Sequence, residues 1–345
     1  MSASVSRRLA LGLLGTTLWG SATLAWSATP TLRVLTHSSF DLPKEMLAGF
    51  EQSAGVKLSI VKAGDAGEML NKLILTRAQP IADVVYGIDN ALASKAVAAG
   101  VLAAYDGPAA SAASVARLPA PLVPVDHGYV TLNIDKAWFA KQGVPVPTSL
   151  ADLTQPAYKG LLVVQHPATS SPGLGFLAAT IAGMGEAAAF DWWARLRANG
   201  VKVAKGWSEA YYTDFSRNGG KRPIVVSYAS SPAAEVFYSK EAISELPTAS
   251  LTLPGGVFQQ VEGVALVKGG GQVVAAGRFI EFLRSAPVQQ AIPTSVWMYP
   301  ATPGTALPEV MRHAAEPTRF DNPSTDALAK QSAAWVARWT KVVLK

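Results

Sequence analysis

Val203-Ala204-Lys205-Gly206-Trp207-Ser208-Glu209-Ala210-Tyr211-Tyr212 is the stretch from which the architecture reads outward. A β-branched run, 201–203, ends at Lys205-Gly206. Ser208 is a good N-cap for a helix to about Asn218, where Gly219-Gly220 stops it. A strand turning into a helix is the unit of an open α/β sheet, and ligands of such sheets lie at the carboxyl ends of strands. This turn presents an indole, with Glu209 and the Tyr211/Tyr212 pair close behind. Aromatic faces beside a carboxylate suit a flat, cationic ligand, held by stacking and by the ring quadrupole. The competing reading is a tryptophan plugging a lobe interface. The stretch alone leaves both open.

The same unit recurs along the chain. Segments 32–35, 56–61 and 82–86 read as strands. Helices follow from Pro43 to Gly55, with Met46, Leu47 and Phe50 on one face, then over 68–78 and 91–99. This βαβαβα succession predicts a mostly parallel sheet with right-handed crossovers. Between Pro121 and Ile134 the rhythm breaks into a long extended run with no helix before it, a crossing to a second lobe. There the pattern resumes: strand 161–164, helices from Gly173 and over 188–198, strand 201–203, strand 224–227 and a helix from Pro232. A second extended run, 258–267, reads as the return crossing. A last helix, 325–343, puts Leu328, Trp335, Trp339 and Val342 on a core-facing stripe, and Trp192-Trp193 sit mid-helix as core.

The expected organisation is a leader over 1–28, a first lobe from 29–128 and 258–308, and a second from 129–257 and 309–345. Arg7-Arg8 precede an interrupted apolar run to Trp26, with small residues permitting cleavage after Ala25 or Ala28, the order of a secretory signal peptide. With 345 residues, 49% of them hydrophobic, there is ample core for two lobes. The chain has no cysteine, which excludes disulfides, thiolate metal sites, cysteine nucleophiles and a lipid-bearing N-terminal cysteine. Of the formal charge of +6, Arg7 and Arg8 supply two, and the other basic residues are scattered. Without an aromatic-interleaved basic stripe, nucleic acid is not an expected partner.

Three further segments place polar or aromatic groups at strand ends. Gln165 to Gly175 carries Ser170-Ser171-Pro172, hydroxyls before a Pro-opened helix, suited to an anion or hydroxyl. Ser227-Tyr228-Ala229-Ser230-Ser231-Pro232 repeats the device, and Pro293 to Pro300 is an aromatic loop containing Trp297.

Taken together these segments resemble the periplasmic thiamine-binding proteins, the receptors of thiamine ABC importers. The likeness covers nearly all of the chain after the leader. It is carried by T-S-S-P-G-L-G (169–175), K-G-W-S-E-A-Y (205–211), S-Y-A-S-S-P (227–232) and A-I-P-T-S-V-W-M-Y-P (291–300). The resemblance implies a type II binding-protein fold: two α/β lobes, each a mostly parallel sheet flanked by helices, joined by two crossing strands. It implies a ligand site lined by Asp65, Ala66, Ser170, Ser171, Trp207 and Tyr228, Ala229, Ser230, Ser231, Pro232, with Trp297 stacking from the other lobe. It also implies a periplasmic monomer delivering thiamine, or its phosphate esters, to membrane permease and ATPase subunits, with no resident cofactor or metal.

Two departures bear on the site. His37 stands where that family commonly has a tyrosine, and Ala233-Ala234 where an aromatic follows the S-Y-x-x-S-P segment, so the aromatic cage is thinner. The chemistry fits thiamine independently: Trp207, Tyr228 and Trp297 supply faces, Asp65 or Glu209 balances the thiazolium, and the serine hydroxyls hold the arm or its phosphate. Beside a charged ligand, imidazolium at His37 is expected to oppose binding. Two alternatives are a ferric-ion receptor using Tyr211-Tyr212 with His37, which leaves the tryptophans without a role, and a thiamine-cleaving enzyme, which lacks its cysteine here.

Overall fold

The alternation of the sequence folds into one sheet. In chain order its strands are β1 (Thr31–Thr36), β2 (Lys57–Lys62), β3 (Val84–Asp89), β4 (Leu102–Ala103), β5 (Val123–Asp135), β6 (Leu162–Gln165), β7 (Lys202–Ala204), β8 (Ile224–Tyr228), β9 (Thr248–Leu251), β10 (Phe258–Val267) and β11 (Tyr299–Pro300). The computed structural model describes residues 29–240, 243, 245–314 and 316–345; the leader read over 1–28 lies outside them. Among the described residues no helix is long and apolar enough to cross a membrane.

The strand order is β2-β1-β3-β10-β5-β8-β6-β7, with β4 on β10 and β9 and β11 on β5. At one end β1 pairs in parallel with β2 and β3, and at the other β6 pairs in parallel with β7 and β8. The long strands β5 and β10 run antiparallel between these groups. They are the two crossing strands expected, and this is the two-lobe, type II α/β architecture. Both are buried along nearly their whole length, with polar residues such as Asp126, His127 and Asn133 of β5 and Gln260 and Glu262 of β10 buried among the apolar ones.

Helices cover the faces. Met69, Leu70 and Leu73 of the helix Ala66–Leu75 share a core with Trp192 and Trp193 of the helix Glu186–Ala198. Both tryptophans are about fully buried, as a mid-helix pair with Phe190 and Leu196 should be. The final helix, Thr325–Leu344, packs against Glu186–Ala198 and Ser171–Met184 and also meets Ala93–Ala98. Its buried stripe is Leu328, Trp335, Trp339 and Val343, an i, i+4 ladder at its end, so Val343 replaces the expected Val342.

The sequence misplaced one element that matters. The helix from Ser208 to about Asn218 is instead a short α-turn, Trp207–Glu209, a π-turn, Ala210–Asp214, and a 3₁₀ turn, Ser216–Asn218. Phe215 is the reason: it is fully buried with Val163, Ala204 and Val225, and seating it widens the backbone so that its N–H reaches Ala210 O. The stop at Gly219 is as expected, with φ 90°. The expected loop from Pro293 is likewise partly helix, Ala286–Ser295, with Pro293 in its last turns.

Candidate binding cleft

At the carboxyl ends of β1, β2, β6, β7 and β8 the chain encloses a cavity of about 540 Å³. Of the residues expected there, His37, Asp65, Ala66, Ser171, Trp207, Tyr228, Ser230, Ser231 and Trp297 line it. Ser170, Ala229 and Pro232 do not: they are buried just behind the wall, at the starts of the helices Ser171–Met184 and Ser231–Phe237. Glu209 faces away, its carboxylate accepting the Lys205 N–H.

Trp207 is fixed on three sides. Its backbone N–H is capped not by Ser208 but by Asp65 Oδ2, 2.8 Å away and remote in sequence. Its indole Nε1 donates to Ser227 Oγ at 2.8 Å. One indole face lies on the Tyr211 ring, centroids 5.0 Å apart and 18° from parallel. Tyr211 is held in turn by its hydroxyl donating to Glu235. The indole therefore stands rigid on a stacked phenol.

The segment carrying Asp65 meets the wall opposite at close range. Glu68 N donates to Thr169 O, Lys205 pairs with Glu68 at 2.7 Å, and Ser171 Oγ donates to Asp89 Oδ2. Gly67 permits this approach, since a Cβ there would lie 2.6 Å from the Thr169 carbonyl carbon. Burial pushes the Asp65 carboxyl up, against the Ser170 hydroxyl beside it and the Trp207 N–H. The serines are committed too: Ser230 Oγ donates to Trp297 O at 2.6 Å, and Ser231 Oγ shares a hydrogen bond with Ser227 Oγ. Trp297 sits at φ 59°, a left-handed conformation that non-glycine residues adopt at a cost and that clusters at ligand clamps.

A buried network that sequence reasoning missed forms the cavity floor. Glu262 of β10 lines the cavity, with His37 Nε2 at 3.3 Å from Oε2, the Tyr86 hydroxyl donating to the same oxygen at 3.1 Å and Gln260 donating to Oε1. Tyr86 also contacts Asp126 at 2.5 Å. The Glu262 position follows from a β-bulge: the register of β10 shifts after Glu262 against β5 and after Gly263 against β3, re-aiming the side chain. Gly87, at φ 97°, makes the room on the other side, because a Cβ there would collide with the His37 ring.

This network sets the charge of the floor. Burial works to lower the His37 pKa, but the charge and hydrogen bond of Glu262, with Asp65 and Asp89 farther off, outweigh it and raise the value. Burial likewise works to raise Glu262, and His37, Tyr86 and Gln260 together hold it below the usual carboxylate range. Below the raised His37 value the two form an imidazolium–carboxylate pair, in which the imidazolium has its own counter-ion. Burial and the neighbouring Glu262 push Asp126 well up, and burial lifts Asp89 to about 6. Glu235 pairs with Arg217. Among the described residues Asp65 has no ion-pair partner and stands half-buried beneath the aromatic walls, while the exposed Asp41 and Lys62 line the same cavity. A carboxylate beside a glycine inside the strand-forming run F-Q-Q-V-E-G-V-A-L-V is the signal by which Glu262 could have been found.

A family model of bacterial extracellular solute-binding proteins matches residues 79–331. The thiamine-binding periplasmic protein of Salmonella typhimurium is 31% identical over 325 residues, 92% of this chain and 94% of that one. A solved periplasmic thiamin binding protein superposes with a TM-score of 0.81 at 30% identity, over 91% of this chain and 96% of the other. The iron-bound HitA from Pseudomonas aeruginosa, at 21% identity and TM-score 0.72, covers 91% of this chain and 99% of its own and shares the fold.

Proposed function

Because the chain belongs to the bacterial extracellular solute-binding proteins, among the periplasmic thiamine-binding group, we propose that it captures thiamine in the periplasm and hands it to an ABC importer. The observation that carries this reading is the pairing of Trp207 and Trp297 with the half-buried Asp65 carboxyl in a cavity of about 540 Å³. Stacking faces and a carboxylate select a flat cation, and thiamine joins a permanently charged thiazolium to a flat aminopyrimidine. Tyr228 adds a third ring at the floor. The ligand is the cargo, the protein carries no resident cofactor, and it acts as a monomeric receptor rather than an enzyme.

The ferric reading is weaker on the geometry. Tyr211 is spent as the stacking base of Trp207 and as donor to Glu235, and His37 is spent on Glu262. Among the described residues, no three histidine or carboxylate side chains gather so as to hold a metal ion. The test of the thiamine reading is calorimetry combined with tryptophan fluorescence. Saturable heat with one site per chain and quenched emission are expected. Absence of both signals at millimolar thiamine would overturn the reading.

A further inference from the structure

The wall formed by the helix Ser231–Phe237 has a gap. Ala234 lines the cavity with only a methyl group, on the side from which Trp297 is approached. The helical path continues for one residue beyond the helix: Tyr238 has helical φ and ψ, and its N–H bonds Ala234 O at 3.0 Å. Residues four apart lie on one helix face, so Tyr238 comes up directly above Ala234. It too lines the cavity. Its ring meets the Trp297 indole edge-on, centroids 5.6 Å apart, and its hydroxyl accepts Trp297 Nε1 at 3.4 Å.

A second tyrosine arrives from the π-turn. The widened turn of Ala210–Asp214 sends Tyr211 inward beneath Trp207 and Tyr212 outward to the mouth. There Tyr212 lines the cavity edge-on to Trp207, at 5.3 Å and 82°, close enough to Tyr238 for the two phenols to influence each other. Tyr212, Phe237 and Tyr238 expose 60%, 50% and 64% of their surface, beside the half-buried Trp297. Aromatic side chains gathered at a cleft mouth, rather than scattered singly, mark a surface that a ligand covers.

We propose that Tyr238, with Tyr212 beside it, is a ligand-contacting wall at the mouth that supplies, one helical turn later, the aromatic face omitted at Ala234 and so sets specificity for a flat cation. The inference rests on the thiamine reading and adds two residues to that site. The ring face is the working part. The hydroxyl of Tyr238 serves to orient Trp297.

The experiment is thiamine calorimetry on wild type, Tyr238→Ala, Tyr238→Phe, Tyr212→Ala and the double variant Ala234→Tyr/Tyr238→Ala, each checked by thermal unfolding. Removing the Tyr238 ring should weaken thiamine about tenfold, and removing the Tyr212 ring roughly fivefold. Tyr238→Phe should stay within about threefold of wild type, and the double variant should recover most of the loss, because in both a ring face still borders the ligand. The unfolding midpoints should not move, since both tyrosines are mostly exposed. If wild type binds thiamine and Tyr238→Ala binds it within twofold, the wall is wrong while the ligand reading stands. A wild type that gives no heat with thiamine removes the ligand reading and the wall with it. If Tyr238→Phe loses as much as Tyr238→Ala, the hydroxyl and not the face is the contact, and the proposal as stated is overturned.

Discussion

Replacing Glu262 with glutamine should weaken thiamine binding by an amount that depends on pH. At about 6 Å and an effective dielectric near 20, a carboxylate attracts a unit cation by roughly 3 kcal/mol. In the protein His37 Nε2 stands 3.3 Å from Glu262 and its pKa is raised. While His37 is protonated, its charge cancels most of that attraction. As pH rises through the raised His37 value, the imidazole loses its proton and Glu262 faces the ligand alone. Wild-type affinity for a cation should therefore increase across that window, which starts above about pH 6.5. Solvent and salt reduce the full figure, so the Glu262→Gln loss should be under about threefold at the acid end of that window and about tenfold at its alkaline end. The variant also removes the partner that raises His37, so burial then lowers that pKa and the residual pH dependence moves to the acid side. Calorimetry at fixed ionic strength across this range reads both effects, above the region where the aminopyrimidine itself takes up a proton. An equal loss at both ends would refute the argument that the pair is charged and that His37 masks Glu262.

Four further outcomes follow from the geometry. Trp207→Ala should cost roughly 1 to 3 kcal/mol of thiamine binding with the fold retained, read by calorimetry and circular dichroism, and normal binding would make the indole mere packing. Gly67→Ala should weaken thiamine without touching it, since its Cβ would press on the Thr169 backbone and hold the cleft walls apart at a cost of about 1 to 3 kcal/mol; unchanged affinity would show that this approach is not needed. In the ligand-free protein, the stabilisation from His37 is complete below its unfolded pKa near 6.5 and is lost as pH rises through the raised folded value, so the thermal midpoint should decline there in wild type and not in His37→Phe. Thiamine should be recovered intact after incubation, and chromatographic fragments scaling with protein would move the chain into the enzyme class.

The strand and helix alternation was legible because it is local: each unit announces itself by β-branched runs, periodic apolar positions and terminating glycines. The site was legible as far as strand ends carry it, which is why Trp207, Tyr228 and Ser231 reach the cavity as expected. Most of what was missed involves partners distant in sequence. Ser208 looked like the cap of its helix, while the actual acceptor, Asp65, comes from another part of the chain. Glu262 lies in a run that reads only as a crossing strand, and the bulge beside Gly263 turns it to the cavity. His37 is still expected to oppose a cation when protonated, but its counter-ion Glu262, 225 positions away, could not be seen. Ser170, Ala229 and Pro232 fell one layer too deep, for a motif gives a loop and not the direction of each side chain.

The Asp65–Trp207 hydrogen bond has a consequence for timing. A helix start normally carries its cap in its own flanking sequence and is ordered whatever the rest of the molecule does. Here the amide at Trp207 is satisfied from the opposite side of the cleft, so any parting of the two sides leaves that N–H bare to solvent and the turn beneath the indole free to fray. Amide hydrogen exchange at Trp207 should therefore run at the rate of cleft opening and slow when ligand holds the walls together. One backbone proton becomes a clock for the gate.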